Sequence, residues 1–153
     1  MSKIVLVVAL AAFAPPVWAQ GIAMQDEAGV RWACGGVGAG ERATLATPRS
    51  QANLELLFVT AKRGGYLADV RVSLYAADAA APRLKLEADG PICLLFAPAG
   101  RYRIEASYGG VTRTAQATAA AAAGKPSQVI FRFPEEPWNG TRASEEEKRQ
   151  ARE

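Results

Sequence analysis

The sequence contains no histidine and only two cysteines among its 153 residues. The missing histidine excludes Ser-His-Asp and Cys-His catalysis and removes the usual general base near neutral pH. Two cysteines without histidine also cannot make an ordinary structural zinc site. We therefore expect no metal and no cofactor. Acid–base chemistry would have to come from carboxylates, of which six are candidates: Asp26, Glu27, Asp69, Asp78, Glu87 and Asp89.

Long apolar runs are confined to the N-terminus. Lys3 precedes an apolar run from Ile4 to Ala14, which is too short to span a bilayer as a helix, and Val17-Trp18-Ala19 fits an A-x-A-like cleavage site. This pattern predicts a secretory signal peptide over residues 1–19. The expected location is the bacterial periplasm, with no membrane span after cleavage.

The stretch RWACGGVGAGE, residues 31–41, looks at first like a binding loop. It lacks the G-x-G-x-x-G spacing of dinucleotide loops and the Lys-Ser or Lys-Thr of a P-loop. Cys34 has no C-x-x-C partner for redox cycling. Since export implies an oxidising compartment, we predict a structural disulfide between Cys34 and Cys93, with Trp32 packed nearby.

From residue 54 onward the sequence alternates with a period of two between glycine and proline turns. Seven strands are predicted, and Gly109-Gly110 is a two-residue hairpin signal. We expect an all-β, seven-stranded Greek-key β-sandwich over residues 53–134. An irregular arm over residues 20–52, with a helical turn ended by Thr47-Pro48, and a disordered charged tail over 135–153 should flank it. The strands are expected at residues 54–59, 68–75, 83–87, 92–97, 101–108, 111–118 and 129–133.

Basic side chains recur at the outward positions of these strands. Between residues 20 and 134 there are thirteen Lys and Arg against nine Asp and Glu, an excess too small to indicate nucleic-acid binding. The outward residues either form one basic face that contacts an anionic polymer or are simply solvated. They are Arg71, Arg83, Lys85, Arg101, Arg103 and Arg132.

Two segments, YLADVRVSL (66–74) and PAGRYRIEA (98–106), are similar to the carboxypeptidase regulatory-like domain. That family is a transthyretin-like, or prealbumin-like, β-sandwich, and small exported proteins of Gram-negative bacteria are built on it. The resemblance covers about residues 53–133. It implies a transthyretin-like fold and an accessory or binding role with no catalytic residues to carry over.

We therefore expect a non-catalytic periplasmic module that contacts a protein or an anionic envelope polymer, through a basic face or a sheet edge. The alternative is a small periplasmic hydrolase that uses carboxylates and arginines. A third hypothesis is an accessory subunit of a separately encoded enzyme. The sequence gives no indication of the oligomeric state.

Overall fold

A computed structural model describes residues 22–122 and 124–135. The predicted signal peptide, residues 1–19, lies outside the described residues, as does the predicted tail beyond residue 135. The described helices have six and four residues, and none is long and apolar enough to cross a membrane.

The described chain is mostly β-strand. Nine strands and two short helices follow one another as β1 (Gln25–Glu27), β2 (Val30–Gly35), α1 (Ala39–Thr44), α2 (Ala46–Arg49), β3 (Leu54–Thr60), β4 (Val70–Ala76), β5 (Leu84–Ala88), β6 (Ile92–Phe96), β7 (Gly100–Tyr108), β8 (Val111–Ala119) and β9 (Ser127–Phe133). The all-β prediction is confirmed.

The strands form two sheets that pack as a sandwich. Sheet A has the order β1-β2-β6-β3-β9, and sheet B has the order β5-β4-β7-β8. All pairings are antiparallel except β3 with β9. Alternate residues of both sheets point into one main core, whose fully buried side chains include Leu56, Phe58, Leu74, Ile104 and Phe133.

The prediction of seven strands is wrong, because the expected irregular arm contributes two more. All seven predicted strands are present, but β1 and β2 pair as a hairpin and β2 then pairs with β6. In β2, Val30, Trp32 and Cys34 point toward the core, while Gly35 and Gly36 follow without side chains. The alternating run is short, and the glycines after it have no side chains to extend the pattern.

Gly109 and Gly110 form the predicted two-residue hairpin between β7 and β8. Both have positive φ, at 55° and 79°, and the flanking residues Tyr108 and Val111 are partners in the register. Two consecutive positive φ values characterise the turn that matches the twist of a hairpin. The hairpin places β7 and β8 side by side in sheet B.

The segment with α1 and α2 covers the outer face of sheet A. Leu45 and Ala52 are each 1% exposed and pack with Ile92 and Leu94 in a second, smaller core. The predicted end of the helical turn at Thr47-Pro48 is wrong, since Pro48 lies within the four-residue α2. Proline is tolerated in a first helical turn because its position needs no backbone N–H donor.

Candidate functional site

The predicted disulfide between Cys34 and Cys93 is present. The two residues are direct register partners on β2 and β6, with Cα atoms 4.1 Å apart, and both side chains are buried in the main core. Trp32 also packs against this core. The bridge joins neighbouring strands of one sheet and leaves neither cysteine free for redox chemistry.

The backbone of the glycine-rich stretch after Cys34 is hydrogen-bonded to the side chain of Glu41, which lies at the end of the same stretch. The Glu41 carboxylate accepts hydrogen bonds from the backbone N–H groups of Gly36 and Val37, at 2.9 and 3.1 Å. Arg42 donates to the carbonyl of Gly36 at 3.2 Å. The N–H groups that a phosphate loop would offer to a ligand are therefore used to shape the turn into α1.

The structure divides the six predicted basic residues among three places. Four, namely Arg71, Lys85, Arg101 and Arg103, lie on β4, β5 and β7 at positions that face outward from sheet B. Arg83 precedes β5, and its guanidinium donates to the carbonyl of Ala28 in the turn between β1 and β2, at 3.1 Å.

Arg132 does not belong to the same face. It lies on β9, which pairs with β3 in sheet A, so it points outward from the opposite side of the sandwich. A single face containing all six basic residues is therefore wrong. Like Arg71, Arg132 is an exposed arginine on a strand.

The register of sheet B arranges positive, negative and hydroxyl side chains in alternation. On the outer face, Arg71 stands between Glu87 of β5 and Ser107 of β7. In the next row, Ser73 stands between Lys85 of β5 and Glu105 of β7. The face is therefore mixed in charge rather than uniformly basic.

Arg103 is held by its neighbours. Its guanidinium lies 4.1 Å from the centroid of the Tyr75 ring and donates to a Glu105 carboxylate oxygen at 2.9 Å. The Tyr75 hydroxyl donates to the other Glu105 oxygen at 3.3 Å. This cluster neutralises Glu105 and covers the Tyr75 ring.

Three cations of the same face have no such partner. Within residues 22–122 and 124–135, the side chains of Arg71, Lys85 and Arg101 make no hydrogen bond or ion pair. All three residues are exposed. Their charges are therefore available to a ligand.

A shallow concavity of about 550 Å³ lies on this outer face. Of the six candidate carboxylates, only Glu87 lines it. The side chains around it are mostly polar: Arg71, Ser73, Lys85, Glu87, Glu105, Ser107 and Thr112. The alternation of the strands already predicted these outward positions. The small hydroxyl residues were not recognised as site residues because hydroxyls on strands are common and only the register brings these together.

The opposite outer face carries a buried ion pair instead of an open site. Glu55 of β3 is 4% exposed, and its carboxylate accepts hydrogen bonds from Arg49 of α2 and from Gln128 of β9, each at 2.9 Å. This arrangement fixes α2 against sheet A. It occupies the carboxylate internally, so Glu55 is not available to a ligand.

No protein-family model, curated protein or solved structure matches the chain. The features of the chain that bear on function are therefore the outer face of sheet B and the chemistry of its side chains.

Proposed function

We propose that this chain is a non-catalytic periplasmic binding module that contacts an anionic envelope polymer through the outer face of sheet B. The observation that carries the proposal is that three exposed cations on this face have no partner: Arg71 and Lys85 line a polar concavity, and Arg101 lies farther along β7. Cations on an open face attract a polyanion with an energy that salt screens.

The two outer faces differ in how much of each is accessible. The strands of sheet A are covered by Leu45, Ala52 and the Arg49–Glu55 contact. No described element lies over the outer side of sheet B, where the strands present side chains directly to solvent. On sheet A the exposed outward side chains include Ile130 and Arg132 of β9, while the middle strands are covered, so sheet B offers a polymer the broader open surface.

The periplasmic location and the family remain part of this proposal. The N-terminal sequence pattern and the Cys34–Cys93 disulfide support export. The two segments that resemble the carboxypeptidase regulatory-like domain lead into β4 and β7, which are neighbours in sheet B. Such a pairing supports a transthyretin-like, Greek-key arrangement and an accessory role.

A polymer-binding assay tests the function. Oxidised protein is applied to immobilised polygalacturonate at increasing salt, and a variant with Arg71, Lys85 and Arg101 all changed to alanine is compared with Arg132→Ala. We expect retention that falls with salt, is lost in the triple variant and is nearly unchanged in Arg132→Ala. A loss of binding free energy in Arg132→Ala of about one third of that in the triple variant would show that binding follows total charge and not this face.

The hydrolase alternative can be examined in the same samples. Glu87 and Arg71 are register partners in the concavity, and they are the carboxylate and the arginine that this alternative would use. The chain length of the polymer is measured before and after incubation. If the polymer is shortened by the natural protein but not by Glu87→Gln, the result favours hydrolysis. If its length is unchanged, the result supports a binding module.

A further inference from the structure

We infer that the concavity on sheet B recognises an acidic saccharide unit, which carries a carboxylate and free hydroxyl groups on the same ring. This inference rests on the proposed function and names the class of polymer. It follows from the combination of cations, an unpaired carboxylate and hydroxyls in one site.

Arg71 and Lys85 form the part of the site that binds an anion. They lie on neighbouring strands, and the row that contains Lys85 also contains Ser73, two residues beyond Arg71 on β4. A guanidinium can bind both oxygens of a carboxylate, and an ammonium adds a second charge. One carboxylate placed over Ser73 would be within reach of both cations.

Glu87 sets a second requirement on the ligand. Its side chain is exposed, lines the concavity and makes no hydrogen bond or ion pair with the described residues. An ionised carboxylate only accepts hydrogen bonds, so the ligand must bring a donor. Polyphosphate has no such donor at neutral pH and would be repelled by Glu87. A sugar hydroxyl donates without adding charge.

The remaining polar side chains of the site suit hydroxyl groups. Ser107 and Thr112 share a hydrogen bond of 2.7 Å between their hydroxyl oxygens, and Ser73 lies on the adjacent strand. A hydroxyl can donate and accept, so these residues can follow either orientation of a ligand hydroxyl. Their small size keeps the concavity open between the long charged side chains.

An acidic peptide could also supply an anion and N–H donors, but the lining does not favour it. Protein interfaces have an apolar and aromatic centre. The apolar side chains at this site, Val72 and Leu86, are 2% and 7% exposed because they point into the core. The nearby Tyr75 ring is covered by the Arg103 guanidinium. The face therefore favours a polyhydroxylated ligand over a peptide.

Four soluble polymers separate these chemistries: polygalacturonate, its fully methyl-esterified form, polyglutamate and polyphosphate. Esterification removes the charge of the saccharide and leaves its ring hydroxyls, whereas polyglutamate and polyphosphate carry charge without hydroxyls. By calorimetry at 0.15 M salt, we expect polygalacturonate to bind at least about tenfold more tightly than the other three. Equal affinity for polyphosphate or polyglutamate would overturn the saccharide inference while leaving an anion-binding face intact.

Point variants test the two parts of the site separately: the cations that bind the ligand's carboxylate, and Glu87, which accepts a hydrogen bond from its hydroxyl group. Arg71→Ala and Lys85→Ala should each weaken polygalacturonate binding about tenfold, because each removes a charge-assisted hydrogen bond. Glu87→Ala should weaken polygalacturonate binding but strengthen polyphosphate binding, since it removes an acceptor and a like charge together. Arg132→Ala, on the other sheet, is the matched control and should change neither.

The variants also separate failure of the inference from failure of the proposed function. If Glu87→Ala strengthens the binding of both polymers, Glu87 acts only by repulsion and the saccharide inference is wrong, although the anion-binding face stands. If Arg71→Ala and Lys85→Ala behave like Arg132→Ala with every polymer, the face itself is wrong. Thermal unfolding of each variant shows whether a loss of binding reflects a loss of fold.

Discussion

Replacing Arg49 by alanine tests how the helical segment is fixed to sheet A. Arg49 Nη2 donates to Glu55 at 2.9 Å, and its Nε lies 2.7 Å from the other carboxylate oxygen. The side chain of Glu55 is 5% exposed and that of Arg49 is 44% exposed. The substitution therefore leaves a buried carboxylate with one remaining side-chain donor, Gln128.

The expected loss of unfolding free energy lies between the cost of breaking a buried ion pair and that of breaking an exposed one. Breaking a buried ion pair costs about 3–5 kcal/mol, and breaking an exposed one costs about 0.2–1 kcal/mol. Because Arg49 is partly exposed and Gln128 remains, we expect Arg49→Ala to lower the free energy of unfolding by about 2 kcal/mol. With a urea m-value of about 1–3 kcal/mol/M, the unfolding midpoint should fall by roughly 1 M.

A double-mutant cycle isolates the pair from other effects of the substitution. In a Glu55→Gln background no buried charge remains, so Arg49→Ala should cost much less than in the natural sequence. Arg103→Ala, which breaks an ion pair whose carboxylate is 29% exposed and a contact with the Tyr75 ring, is the comparison and should cost about 1 kcal/mol. A cost of Arg49→Ala that is equal in both backgrounds would refute the assigned role of Glu55.

Two further predictions concern β2 and its neighbours. Replacing both Cys34 and Cys93 by alanine should lower the free energy of unfolding by about 4 kcal/mol, because the bridge closes a long loop with a sequence separation of 59. Urea unfolding of the variant and of the oxidised protein measures the difference, and equal stability would contradict the prediction. Gly90→Ala should cost more than about 2 kcal/mol, because its Cβ would lie 2.6 Å from the Cα of Gly35. Gly40 lies in α1 with open space around it, so Gly40→Ala should be neutral or stabilising by up to about 1 kcal/mol. A similar melting temperature for the Gly90 and Gly40 variants would contradict the close approach of Gly90 to the Gly35 backbone.

Strand alternation predicted most of the fold because side-chain direction in a strand follows directly from its period. The run from Val70 to Leu74 and the run from Tyr102 to Ala106 each have one buried face, as expected. Alternation did not reveal β2, which is short, ends in a glycine and buries Ala33, Cys34 and Gly35 in succession. The contribution of residues 25–35 to sheet A therefore emerged only from the structure.

The site was less predictable because alternation assigns a residue to the inside or the outside, but not to a sheet. Arg71 and Arg132 have the same pattern in the sequence, yet β4 joins sheet B and β9 pairs with the distant strand β3 in sheet A. The alternation of Glu87 with the cations likewise depends on the register between β4 and β5. These are contacts between residues far apart in the chain, which local patterns do not specify.

The most direct test of the binding face compares polygalacturonate affinity for Arg71→Ala and Arg132→Ala in oxidised protein at one fixed salt concentration. The two variants lose the same charge from exposed strand positions on opposite sides of the sandwich. If the binding face lies on sheet B, Arg71→Ala should lower the affinity about tenfold and Arg132→Ala should leave it almost unchanged. Equal affinities for the two variants would contradict it.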